Sequence, residues 1–206
     1  MPPTRLTREQ ARAETRERLI EAAERVFARR GFHGASVDEV AEEAGFSTGA
    51  LYSNFAGKED LFLALLERHA TGETQELSKA VADLPTVEER VREGAGQWMG
   101  VVDREPHLVL LYMEFWAYAA RDPELRPRFA THFASVRAAL AEILSEGAGE
   151  LDVELLLPPE EVATALQALA DGIALQKMVD PGAVSDDLFA RLLSLIFAGL
   201  SRDATG

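Results

Sequence analysis

The residues best placed to do chemistry lie between positions 36 and 58. Two short stretches, Val37–Ala44 and Thr48–Phe55, flank Gly45-Phe46-Ser47, which is the spacing of two helices joined by a tight turn. Along the second stretch, Thr48, Gly49, Tyr52, Ser53 and Asn54 occupy the face left outside once Leu51 and Phe55 turn inward. These side chains are small or carry hydroxyl and amide groups, and none is acidic. Such a face can enter the major groove of a duplex without repelling phosphate. Upstream, Arg5, Arg8, Arg12 and Arg16 recur every three or four residues and form one basic stripe on a helix. The stripe is either an arm laid along a phosphate backbone or a solvated face salt-bridged to Glu9 and Glu14.

Covalent chemistry has no comparable support. The chain has no cysteine, which excludes disulfides, thiolate catalysis and Cys-ligated zinc. Its 4 histidines are scattered without metal-ligand spacing, so no metal site is expected. There is no Ser/His/Asp order, no catalytic carboxylate pair and no Gly-rich phosphate loop. The chain therefore reads as a non-enzyme without a cofactor. Its 206 residues are 47% hydrophobic and 27% charged, an ordinary globular balance. The net charge is −14, but it is unevenly spread. Residues 1–30 hold eight Arg and five Glu, whereas residues 61–206 hold twelve basic and twenty-four acidic residues. Only the N-terminal end is suited to approach an anion. No signal-like segment or membrane-length apolar run is present, so a cytoplasmic location is expected.

These residues need helices to position them. Ala, Leu, Glu and Arg dominate, all strong helix formers, and no alternating strand pattern occurs. The expected fold is all-α, with about nine helices. The first runs over roughly 8–30, with Leu19, Ile20, Ala23, Val26 and Phe27 inward, and Gly31 ends it. Ser36-Val-Asp-Glu39 is a capping box that opens Val37–Ala44. Ser47 caps the third helix, Ala56-Gly57 breaks it, and a fourth starts near Lys58. Longer helices follow over about 86–103, 106–120, 123–147, 159–179 and 185–199.

The run SVDEVAEEAGFSTGALYSNFAGKEDLF resembles the DNA-binding signature of the TetR (tetracycline-repressor-like) family of transcriptional regulators, and the likeness extends back through RERLIEAAERVFARRGFHGAS. It covers about residues 15–65 and fixes Gly31, Gly45, Leu51-Tyr52, Phe55 and Lys58-Glu59 together. The resemblance implies a three-helix DNA-binding domain over 1–65, with its helix-turn-helix at about 36–55, and a ligand-binding and dimerisation domain over 66–206. It further implies that Ser36, Ser47, Thr48, Tyr52 and Lys58 contact operator DNA. Ser53 and Asn54 stand where aromatic or His residues are commoner in the family. Without Arg or Gln on this helix, bidentate reading of guanine is not available from it.

In the remainder, Trp98, Met99, Tyr112, Phe115, Trp116 and Phe133 form an aromatic and Met-rich set, with His107, Glu114, His132, Asp171 and Gln176 as polar anchors. They either wall an apolar pocket or pack as core. The resemblance favours a pocket for a lipophilic or aromatic effector. Helices 159–179 and 185–199 are apolar over a wide arc, so they need cover on two sides. Leu166, Ile173, Leu188, Leu192, Leu195 and Ile196 are expected at a homodimer interface. The expected function is a ligand-released repressor. The alternatives are an activator, or a small-molecule-binding helical protein without a DNA role.

Overall fold

The computed structural model describes residues 7–203. Arg5 of the basic stripe lies outside the described residues. The chain is helical almost throughout: α1 (Arg8–Gly34), α2 (Val37–Ala44), α3 (Thr48–Tyr52), α4 (Lys58–Ala82), α5 (Val87–Arg104), α6 (Pro106–Ala119), α7 (Leu125–Glu150), α8 (Pro159–Val179) and α9 (Leu188–Leu200). The all-α expectation holds, with one departure. Val153–Leu155 (β1) pairs antiparallel with Ser201–Asp203 (β2). Three residues are too few to show an alternating pattern, so the sequence carried no signal for them.

The chain forms two compact units. The first contains residues 1–69 together with 111–129, and the second contains 70–110 and 130–206. In the first unit, helix starts are set locally. Thr7 and Gln10 make a capping box on α1, and Ser36 and Glu39 make the expected one on α2. Ser47 caps α3 through the Ala50 amide. Gly45 ends α2 in the left-handed region (φ 72°, ψ 30°), where a Cβ would be strained. Arg18 donates to the Ala44 carbonyl at 3.2 Å and lies over the Phe46 ring, closing that end. α3 is shorter than expected, because Ser53-Asn54 leaves the helix before Phe55.

The core of this unit is aromatic. Phe27, Phe32, Phe62 and Phe115 are each at most 1% exposed. Phe32 meets Phe62 and Phe115 edge-on at 5.2 Å and 4.9 Å. Edge-to-face geometry adds to the burial gain of each ring.

In the second unit, Val91, Ala95, Met99, Val162, Ile173, Val184, Phe189, Leu193 and Phe197 form a core shared by α5, α8 and α9. Thr86 caps α5 as expected. Lys177 pairs with Asp103 at 2.7 Å, and Arg90 pairs with Glu150 at 2.8 Å.

Candidate nucleic-acid interface

α3 presents an outward face without an acid in its first turn. Tyr52 is 55% exposed, and its hydroxyl has no partner among the described residues. Gly49 is open, since a Cβ built there would meet only Ser47 Oγ at 3.8 Å. Thr48 donates its hydroxyl proton to Asp38 at 2.8 Å, which leaves its oxygen as an acceptor. Ser36 and Ser47 accept from the amides of Glu39 and Ala50 at their helix N-termini; the Ser36 hydroxyl in turn donates to Glu39 Oε2 at 3.4 Å, so of the two it is Ser47 that is placed for a phosphate oxygen.

Two expected base-facing residues turn the other way. Ser53 and Asn54 both donate to the Ala50 carbonyl, at 2.7 Å and 2.9 Å. They satisfy the end of a short helix whose last carbonyls lack intrahelical partners. Their polar atoms serve the backbone, which is the physical reason a Ser-Asn pair works where bulkier residues are common.

The basic stripe has a third role that neither sequence reading contained. Arg12 donates to the Ser53 carbonyl at 3.2 Å and Arg16 to the Asn54 carbonyl at 3.4 Å, with Arg16 stacked 4.3 Å over Phe55. Among the described residues, neither pairs with Glu9 or Glu14. The two guanidinium groups cap the C-terminal end of α3 and stay exposed. They place positive charge beside the recognition face, with spare donors for phosphate.

Lys58 is placed differently from expectation. Its ammonium donates to the carbonyls of His33 (3.4 Å) and Ala35 (3.1 Å) and lies 4.7 Å over the Phe32 ring. It holds the joint between α1 and α2 rather than projecting outward. Between α1 and α2, Arg25 and Arg29 grip Glu43 at 2.9 Å and 2.7 Å, and these two hydrogen bonds lower its carboxyl pKa.

The expected effector residues divide between the units. Met99 belongs to the second unit's core, and Trp98 donates its indole N–H to the Ala170 carbonyl at 3.4 Å beside it. Phe133 is half-buried next to His132, and Gln176 is exposed. Phe115 is fully buried in the first unit, Tyr112 lies 6.0 Å from Phe129, and Trp116 is 49% exposed. An open cleft of about 500 Å³ in the first unit is lined by His33, Glu114, Ala117, Tyr118, Arg121, Asp122 and Pro123.

Of the expected interface residues, only Leu195 is exposed, at 73%. Ile173 is in the core cluster, and Leu166, Leu188, Leu192 and Ile196 pack against it. Ile173 is buried and the other four are partly buried, because α8 and α9 lay that face against α5. The uncovered stripe runs along Ala165, Ala168, Gly172, Leu175 and Val179 of α8 and Leu195, Ala198 and Gly199 of α9. Its spacing of three and four was present in the sequence, parallel to the inward stripe.

Comparison with known proteins follows the same division. Residues 19–65 match the profile of bacterial regulatory proteins of the TetR family, and residues 87–200 match the C-terminal domain of BetI-type transcriptional repressors. The transcriptional repressor AcnR of Corynebacterium efficiens is 31% identical over 163 residues, covering 77% of this chain and 79% of that protein. The transcriptional activator FasR of Mycolicibacterium smegmatis is 33% identical over 94 residues, and the match spans 46% of this chain but only 43% of that protein. A TetR-family regulator from Mesorhizobium loti shares the fold, with a TM-score of 0.74 at 21% identity over 96% of this chain and 100% of that one. A helix-turn-helix with an acid-free outer face, followed by a BetI-type helical region, thus has one consistent reading: the chain belongs to the TetR family of bacterial transcriptional regulators.

Proposed function

We propose that the chain acts as a homodimeric repressor that binds a pseudo-palindromic operator and is released from it by a small apolar or aromatic effector. The observation that carries the DNA-binding half is the α3 face: exposed Tyr52, open Gly49, no acid, and two exposed arginines at its end. Tyr52, Arg12 and Arg16 would donate to phosphate, as would Ser47 at the start of α3, whereas the Ser36 hydroxyl is committed to Glu39. Such contacts set register, while Thr48 and Gly49 face base edges. The BetI-type match over residues 87–200 and the repressor AcnR support repression. FasR, an activator, supports the alternative sign, which depends on where the operator lies.

The outward stripe of α8 and α9 supports a twofold four-helix interface. A Cβ built at Gly172 or Gly199 meets nothing within 4 Å, so a second helix pair could approach closely there. Two recognition helices would then meet half-sites about 34–36 Å apart.

The experiment is binding to a duplex selected by the protein from a random library, titrated over several salt concentrations. Arg12→Ala with Arg16→Ala should weaken binding to every sequence and lower the salt slope by about 1–2. An unchanged slope would remove both arginines from the interface. Failure to select any duplex would reject the DNA-binding role.

For the effector, the second unit offers Trp98 beside a Met-containing core. In the same unit, burial and then the negative field of Glu105 and Glu76 push the Glu73 carboxyl up to about 7, and that field disfavours an anionic effector there. A neutral aromatic compound that binds should shift Trp98 fluorescence and lower operator affinity by about 5- to 150-fold, with operator lowering its affinity by the same factor. Binding without any change in operator affinity would reject release by effector.

A further inference from the structure

α1 does not end as a regular helix. At Gly31 the backbone swings to φ 69°, ψ 172°, and the next two amides lie free of the helix ladder. Consecutive N–H groups after a left-handed residue form a concavity that binds anions. Here it is filled from within the unit. Phe32 donates to Glu114 Oε2 at 3.0 Å and His33 to Glu114 Oε1 at 3.1 Å, one carboxylate oxygen for each amide. A Cβ at Gly31 would stand 3.1 Å from Glu114 Oε2, so this seating requires glycine.

The other side of the joint is held by the opposite charge. Lys58 donates to the His33 and Ala35 carbonyls. The peptide groups at His33 are thus polarised, with N–H on a carboxylate and C=O on an ammonium. Ala35 leads directly to Ser36, the cap of α2, so this joint sets the start of the helix-turn-helix. Phe115, next to Glu114, packs its ring 4.9 Å from that of Phe32, and a shift of α6 would move both contacts together.

We propose that Glu114 is a positioning residue for operator binding: an α6 carboxylate seated in the backbone nest of the α1–α2 joint, which sets how α2 and α3 are presented and makes operator affinity sensitive to any displacement of α6. The proposal rests on the DNA-binding reading above. The bonds are charge-assisted, and a carboxylate offers each amide an oxygen of its own. An amide side chain offers one oxygen and turns an NH₂ group toward the second N–H.

The test compares wild type, Glu114→Gln and Glu114→Asp on two duplexes, one selected by the wild-type protein from a random library and one of scrambled sequence. Circular dichroism melts report folding, and amide hydrogen exchange is read at Phe32 and His33. Glu114→Gln should exchange faster at both amides and bind the selected duplex about tenfold more weakly. Its affinity for the scrambled duplex and its salt slope should match wild type, because Arg12, Arg16 and Tyr52 are untouched. Glu114→Asp keeps the charge and should recover part of the loss; it is also the variant that decides if Gln does not fold. Wild-type affinity for the selected duplex in Glu114→Gln overturns the proposal, and so does an equal loss on both duplexes, which a merely structural role would give. Unchanged exchange at Phe32 and His33 overturns the seating itself, whatever the DNA result. If wild type selects no duplex, the DNA-binding reading has failed and the proposal falls with it.

Discussion

A Val179→Arg, Leu195→Arg double variant is expected to sediment as a monomer at micromolar concentration, keep its helicity, and bind a palindromic duplex at least about a hundredfold more weakly than wild type. The size of the loss comes from bivalency. Once one recognition helix is bound, the second binds intramolecularly at an effective concentration near millimolar, and a monomer forfeits that gain. The choice of residues comes from exposure: Val179 is 79% and Leu195 73% exposed in the single chain, so arginine at either costs the chain itself little. Buried positions would mislead. Leu193 is 7% exposed and Ile173 8%, and both belong to the second unit's core. A charge at either would unfold the unit, and loss of binding would say nothing about assembly. The same holds for Leu192, which packs against that core. A double variant that stays dimeric, or a wild type that sediments as a monomer, removes the α8–α9 face from the interface.

That contrast shows what was legible in the sequence. The first unit could be read because its determinants are local. Gly45 between two apolar stripes and Ser36 three residues before Glu39 each fix a turn or a cap within a few positions. The Ser36 capping box and the turn therefore stand where the sequence put them. The roles of Arg12, Arg16 and Lys58 could not be read, because each depends on a backbone carbonyl brought near by the fold. Lys58 reaches residues 23 and 25 positions away, and Glu114 reaches residues 81 and 82 positions away. A Gly-Phe-His step gives no sign that a carboxylate on α6 will fill it. On α8 the difficulty was different. Both faces are apolar at helical spacing, so periodicity identified two stripes but not which one the chain would cover itself. The larger side chains, Leu166, Leu169 and Ile173, went inward. The stripe with Ala165, Ala168 and Gly172 stayed outside, where small residues leave room for a close helix contact.

Glu73→Gln is expected to raise stability at neutral pH and above and to leave it unchanged near pH 4.5. Glu73 lies on α4, and burial pushes its carboxyl up to about 7, with the negative field of Glu105 and Glu76 adding to the effect. No hydrogen bond or ion pair compensates it among the described residues. The sign follows from linkage. A carboxyl whose folded pKa exceeds its unfolded value binds its proton more tightly in the folded chain, so it favours folding at low pH. That advantage is lost as pH rises from about 4.5 to about 7, the window set by the unfolded and folded values. Wild type should therefore lose about 2–3 kcal/mol across this window through Glu73. Glutamine has nearly the same shape and no charge, so the variant avoids the loss. Its melting temperature should exceed that of wild type by about 5 °C at pH 8 and match it near pH 4.5. Asp171→Asn should act in the same direction over a lower window, because burial alone raises Asp171 from 3.8 to about 6. Its gain should already be complete near pH 6.5, where that of Glu73→Gln is still growing. Thermal melts of wild type and the two single variants from pH 4.5 to pH 8 test both. Parallel stability curves for Glu73→Gln and wild type would show that its carboxyl titrates alike in the folded and unfolded chain, and Glu73 would then give no argument about the charge of the effector.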